Sequence, residues 1–130
     1  MHTFTTSVDG LCDPPEPYSY SVQAGQTLYL AGQVALDEQV QVVGSTLGEQ
    51  AEQVWDNIEA VLAASGGTLD DVVKITYYLR DIRDLPQEIA VRTARFPSRR
   101  MPAVTAVQVA ALGLPGLLVE IDVIAVLNDG

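Results

Sequence analysis

The chain is short of the residues that most readily announce a chemistry. Cys12 is the only cysteine among 130 residues, so no intrachain disulfide can form and no Cys-rich zinc site exists. His2 is the only histidine, which excludes a multi-histidine metal site and leaves no Ser-His-Asp triad to assemble elsewhere. No glycine-rich loop of the phosphate-cradling kind occurs. Basic residues number 7 against 17 acidic ones, for a formal net charge of -10. A negative field of that size repels phosphate backbones and disfavours nucleic acid or anionic membranes as partners. Long hydrophobic runs are also missing. The apolar C-terminal region is interrupted by Gly113, Pro115, Gly116, Glu120 and Asp122, short of the ~20 mostly apolar residues a membrane span needs. The opening residues carry neither a basic n-region nor an apolar h-region, and a cytoplasmic location is expected.

What is present suits a compact core. Hydrophobic residues make up 48% of the chain, and polar low-complexity tracts are absent, which argues against disorder. No repeat or linker divides the sequence, so residues 1–130 read as a single domain. The prolines of Asp13-Pro14-Pro15-Glu16-Pro17 stiffen an early turn. Tyr18–Gln23 and Thr27–Val34 then read as two strands joined through Gly25. Leu47, Ala51, Val54, Ile58, Val61 and Leu62 fall on one helical stripe. Thr46 and Glu49 have the spacing of a capping box, and Gly66-Gly67 ends the helix. Trp55 lies beside that stripe and reads as the edge of the core. Val72–Leu79 alternates as a strand, with Val73, Ile75, Tyr77 and Leu79 on one face. A second helix is expected from Leu85 to about Arg95, and strands at Val104–Ala111 and Leu117–Leu127. A short extra strand near Thr3 would precede the order ββ-α-β-α-ββ.

Two β-α segments in succession imply an α+β sheet with two helices on one face. On the last strand, Val119, Ile121, Val123, Ala125 and Leu127 occupy one side. Leu118, Glu120, Asp122, Ile124 and Val126 occupy the other. Both sides are largely apolar, so both faces should be covered. Two helices cannot do that, and self-association is the simplest remaining cover.

Several segments together resemble the RidA family, also called YjgF or L-PSP. They are Pro17-Tyr18-Ser19, the strand Leu28–Val34 with its Ala31-Gly32-Gln33, the helix segment Asp56–Leu62, Leu69–Thr76, Met101–Leu112 and Val119–Val126. The resemblance implies a chorismate-mutase-like α+β fold, a mixed sheet of about six strands with two helices on one face. It further implies a homotrimer with small-molecule sites in clefts between subunits and no cofactor. The family's deaminases hydrolyse enamines and imines, and carry Pro-Ala-Arg-Ser where this chain reads Pro102-Ala103-Val104-Thr105.

Carried over by motif, Glu120 would hold or activate the attacking water, Tyr18 would line the cleft, and backbone near Gly32 and Ala106 would bond substrate or water. The family's arginine would orient a substrate carboxylate through two parallel hydrogen bonds. Val104 has no donor at that position. Arg99 and Arg100, just before the motif, are the candidates to replace it from this or a neighbouring subunit, against the plainer reading of solvated surface arginines. Glu120 is itself either functional or simply a carboxylate that is ion-paired or faces water at an edge position. Three functions are therefore weighed: an enamine or imine hydrolase of altered specificity, a non-catalytic small-molecule-binding trimer, and an L-PSP-type endoribonuclease or translation inhibitor, which the acidic composition disfavours.

Overall fold

The structure, a computed structural model, describes residues 1–128. Strands β1 (His2–Thr5), β2 (Ser21–Ala24), β3 (Thr27–Leu30) and β4 (Gln33–Val34) come first. Helix α1 (Leu47–Ala64), β5 (Val72–Leu79), α2 (Leu85–Arg95), β6 (Ala103–Gln108) and β7 (Val119–Val126) follow. They form one mixed sheet in the order β1-β2-β3-β7-β5-β6, with β4 also pairing β7. Only β5 and β6 run parallel, as a helical crossover between them requires. The α+β arrangement read from the sequence is the one observed.

Helix α1 forms where its stripe and its caps agree. The Thr46 side chain accepts from the Glu49 amide, and Glu49 accepts back from the Thr46 amide. At the other end Gly66 has φ 79°. The Gly67 amide donates to the Leu62 carbonyl and the Gly66 amide to that of Ala63, the paired closure that a left-handed residue after a helix makes possible. The buried face of α1 lies on the sheet with Leu28, Ile75, Tyr77, Ile121 and Val123 in one core. Trp55 is fully buried, edge-on to Tyr77 and Phe96 with ring centroids 6.5 and 5.1 Å away. It belongs to the centre of the core rather than to its edge.

Seven strands occur where about six were expected, because the run Thr27–Val34 is broken. Tyr29 pairs Ile124 and Gln33 pairs Ile121: four steps on one strand oppose three on the other, a bulge centred on Ala31-Gly32. Bulges bend a strand and re-aim its residues. A second irregularity lies between Val72 and Lys74. It turns Val72 into the core and leaves Val73 exposed, which corrects the assignment of Val73 to the buried face. Strand β2 begins at Ser21 rather than Tyr18, since Tyr18 sits in an irregular segment where its amide donates to the Glu16 carbonyl. Strand β6 stops at Gln108, short of Ala111, where its pairing with β5 runs out.

Both helices cover the same face of the sheet. On the opposite face one cross-strand row reads Phe4, Val22, Tyr29 and Ile124. Phe4 and Tyr29 are 61% and 49% exposed, so within one chain this row has no cover. No helix of the described residues is long and apolar enough to cross a membrane.

Candidate functional site

A cleft of about 460 Å³ opens at the end of the sheet where β4 meets β7. It is lined in part by Glu16, Tyr18, Gly32, Val40, Leu114 and Glu120. The lining residues come from three separate stretches, 15–18, 31–40 and 113–120, and α1 holds two of those stretches in place. The buried Gln50 donates to the carbonyls of Gly44 and Gly116 and accepts from the Leu118 amide at 2.8 Å. Asn57, about two turns further along, donates to the carbonyls of Val34 and Leu36. Buried amide side chains of this kind are stable only when their polar atoms are matched, and here their partners are the loops that shape the cleft. The stripe of apolar residues in α1 gave no hint of either.

Gly32 is where the bulge brings the backbone against Glu120. A Cβ built at this glycine would overlap the Glu120 carboxylate, lying 2.9 Å from its Cδ. The side chain of Glu120 thus lies over the backbone of residue 32, and glycine is the residue that admits it. Glu120 is half-buried and makes no ion pair or hydrogen bond among the described residues. Burial raises its carboxyl pKa above the ordinary value, and the charge of Asp122 adds to the rise. The hydroxyl of Tyr78, the direct cross-strand neighbour of Glu120, donates to Asp122 at 3.1 Å. Tyr18 packs edge-on to Tyr20 at 6.3 Å. Its phenol is also shifted up, by burial first and then by Cys12, Glu16 and Glu120. A carboxylate without a partner, beside a neutral phenol and a close-packed backbone, can hold a water molecule and take a proton from it.

The wall opposite is strained. Val40 has φ 61°, a left-handed conformation that costs a β-branched residue ~1–3 kcal/mol. The turn around it is held by Asp37, whose carboxylate accepts from the amides of Gln39 and Gln41, so the strained side chain stays against the cleft.

Of the residues singled out from the sequence, Tyr18, Gly32 and Glu120 are brought together. Val104 and Ala106 are not. They pair with Ile75 and Tyr77, share the helix-covered face and pack against the core, whereas Glu120 projects on the other face beside Tyr78. Three residues along the strands and two strands across separate Val104 from Glu120, ~14 Å at ordinary sheet spacings. Arg99 and Arg100 are exposed, in the turn that precedes β6, and neither lines the cleft of its own chain. A meeting of Val104 with Glu120 therefore requires a second copy.

Residues 11–127 match the family described as Endoribonuclease L-PSP. A RutC family protein of Pyrococcus horikoshii is 38% identical over 113 residues, covering 86% of this chain and 88% of its own. A 2-iminobutanoate/2-iminopropanoate deaminase of Dermatophagoides farinae is 36% identical over 116 residues, covering 88% of this chain and 89% of its own. Among solved structures, RidA from an Antarctic Psychrobacter superposes with a TM-score of 0.88 at 37% identity, over 96% of this chain and all of that one.

Proposed function

The chain belongs to the RidA/YjgF family, and on that premise we propose that it hydrolyses an imine or enamine with a water held by Glu120. The observation that carries this reading is the unpaired, half-buried carboxylate of Glu120, set against Gly32 and Tyr18 in an open cleft. Water bonded to it would be oriented toward a C=N carbon in the cleft, and the carboxylate would take the proton released on attack. Passing that proton to nitrogen turns ammonia into a leaving group, so one residue serves as base and then as acid.

In this reading the active unit is a homotrimer. The uncovered row Phe4-Val22-Tyr29-Ile124 supplies an apolar surface for it. The separation of Val104 from Glu120 within one chain fits a cleft whose far wall comes from a neighbouring subunit. Val104 then marks where the specificity has changed. Without a guanidinium there, a substrate carboxylate loses a charge-assisted hydrogen bond worth ~1.5–3 kcal/mol, about 10- to 100-fold in kcat/KM. A phosphate backbone is a poor substrate for a chain with a net charge of -10, and RNA cleavage is not part of the proposal.

Ammonia release from enzymatically generated 2-iminobutanoate tests both halves. Glu120→Gln should lower kcat by ~100-fold or more, and Val104→Arg should raise kcat/KM by about tenfold or more. Full activity in Glu120→Gln would sink the role of the carboxylate. Tight ligand binding without turnover in the native protein would favour the second reading, a binding site without catalysis, which the missing arginine makes a specific alternative.

A further inference from the structure

We infer that the cleft selects a ligand carrying a nitrogen cation, an iminium or ammonium group on an apolar chain, with no carboxylate. The inference deepens the hydrolase reading and rests on it for turnover, but its binding half stands apart.

Among the described residues lining the cleft, the charged side chains are Glu16 and Glu120, both acidic. No lysine, arginine or histidine lines it. Within one chain, three of the cations are ion-paired away from the cleft. Arg95 holds Glu52, Asp56 and Glu59, Arg92 holds Glu88, and Arg83 holds Asp81. Among the described residues of one chain, Glu120 is thus a half-buried carboxylate with no cation beside it, and Asp122 two residues on adds charge of the same sign. Apart from the Tyr18 phenol, the remaining side chains of the wall are apolar, Leu36, Val40, Leu114 and Leu117 among them. An anionic group entering this space would give up water to face like charge. A cation would find the counter-ion that the fold has left open, and its hydrocarbon chain would lie on the apolar wall.

The chemistry is balanced for such a substrate. Attack of water on a protonated imine forms the C–O bond and moves the C=N π pair to nitrogen, while Glu120 takes a water proton. Return of that proton to nitrogen lets the C–N bond break, with the hydroxyl lone pair forming C=O. Ammonia leaves and takes up the hydroxyl proton, so iminium and water become carbonyl compound and ammonium.

The test compares n-butylammonium chloride with sodium butyrate, titrated at neutral pH into the isotopically labelled full chain and read at the Tyr18 and Gly32 amides. Butylammonium should bind at least about tenfold more tightly. The preference should fall toward parity in Glu120→Gln and, in the native protein, shrink between ~20 and ~500 mM NaCl. Equal or tighter binding of butyrate, or no binding of either, overturns the inference. The N-unsubstituted imines generated by enzymatic oxidation of butylamine and of 2-aminobutanoate are assayed in parallel for ammonia release. Faster turnover of the carboxylate-bearing imine overturns the inference and leaves imine hydrolysis standing. Turnover of neither, with the butylammonium preference intact, removes the hydrolase reading and leaves the selection for a nitrogen cation in place.

Discussion

Gly32 is the residue on which the position of Glu120 depends most directly. Adding one methyl group there forces the carboxylate to move, because the two would occupy the same space. The displaced atoms are the far end of a flexible side chain, so the strain can relax without unfolding. Gly32→Ala should therefore lose most of its turnover while its thermal midpoint shifts by only a few degrees, roughly 1 kcal/mol or less. Paired measurements of activity and melting on the same preparation check this, and unchanged activity with Glu120 displaced would detach that carboxylate from catalysis. The sequence made Glu120 visible as an acid in an apolar strand, and the family resemblance gave it a role. Its contact with Gly32 could not be read, since it arises from a one-residue slip between β3, β4 and β7. Val104 was visible as a substitution, but its side of the sheet was not. Only the pairing with β5 reveals that it faces the helices.

The elements that declared themselves did so through local chemistry. Both ends of α1 were legible because a capping box and a double glycine are short-range signals, and β5 because its alternation runs over eight residues. What α2 hides is a long-range arrangement. Glu88 is 1% exposed and meets Arg92 at 2.9 Å, and the Arg92 guanidinium lies 5.4 Å from the centre of the Tyr77 ring. Nothing in a polar i, i+4 pair announces that it is buried. Burial raises the Glu88 carboxyl pKa, against the pull of Tyr77 and Arg92. A carboxyl whose pKa is higher folded than unfolded weakens the fold once the pH exceeds its unfolded pKa, and protonation removes that penalty. Arg92→Leu takes away the compensating charge, at a cost of ~3 kcal/mol at about pH 8. The cost should shrink toward about pH 4.5, where Glu88 can be neutral. Urea unfolding of native and variant protein at both pH values, at one fixed protein concentration, decides it. An equal loss at both would assign the effect to lost packing alone.

At the scale of the whole molecule, the alternation of β7 argued that a sheet with two helices would leave an apolar face unsatisfied. The uncovered row from Phe4 to Ile124 is that face. Light scattering should report close to three times 13.9 kDa for the native chain. A charge in the middle of the row, Tyr29→Glu, should shift the protein to monomers and abolish turnover, since one chain keeps Val104 and Glu120 on opposite faces. A monomeric native protein with full activity would refute the intersubunit cleft.

Gln50 and Asn57 grip the loops around the cleft through main-chain atoms. Because every residue type offers the same carbonyl and nearly every one the same amide, these two anchors are indifferent to which side chains the loops carry. Leu114 or Val40 can be exchanged for something larger, smaller or polar while the loop is still tethered at the same height. Chemical preference can then drift one substitution at a time on a frame that need not be rebuilt, and the loss of an arginine at position 104 would be a change of diet rather than of body plan.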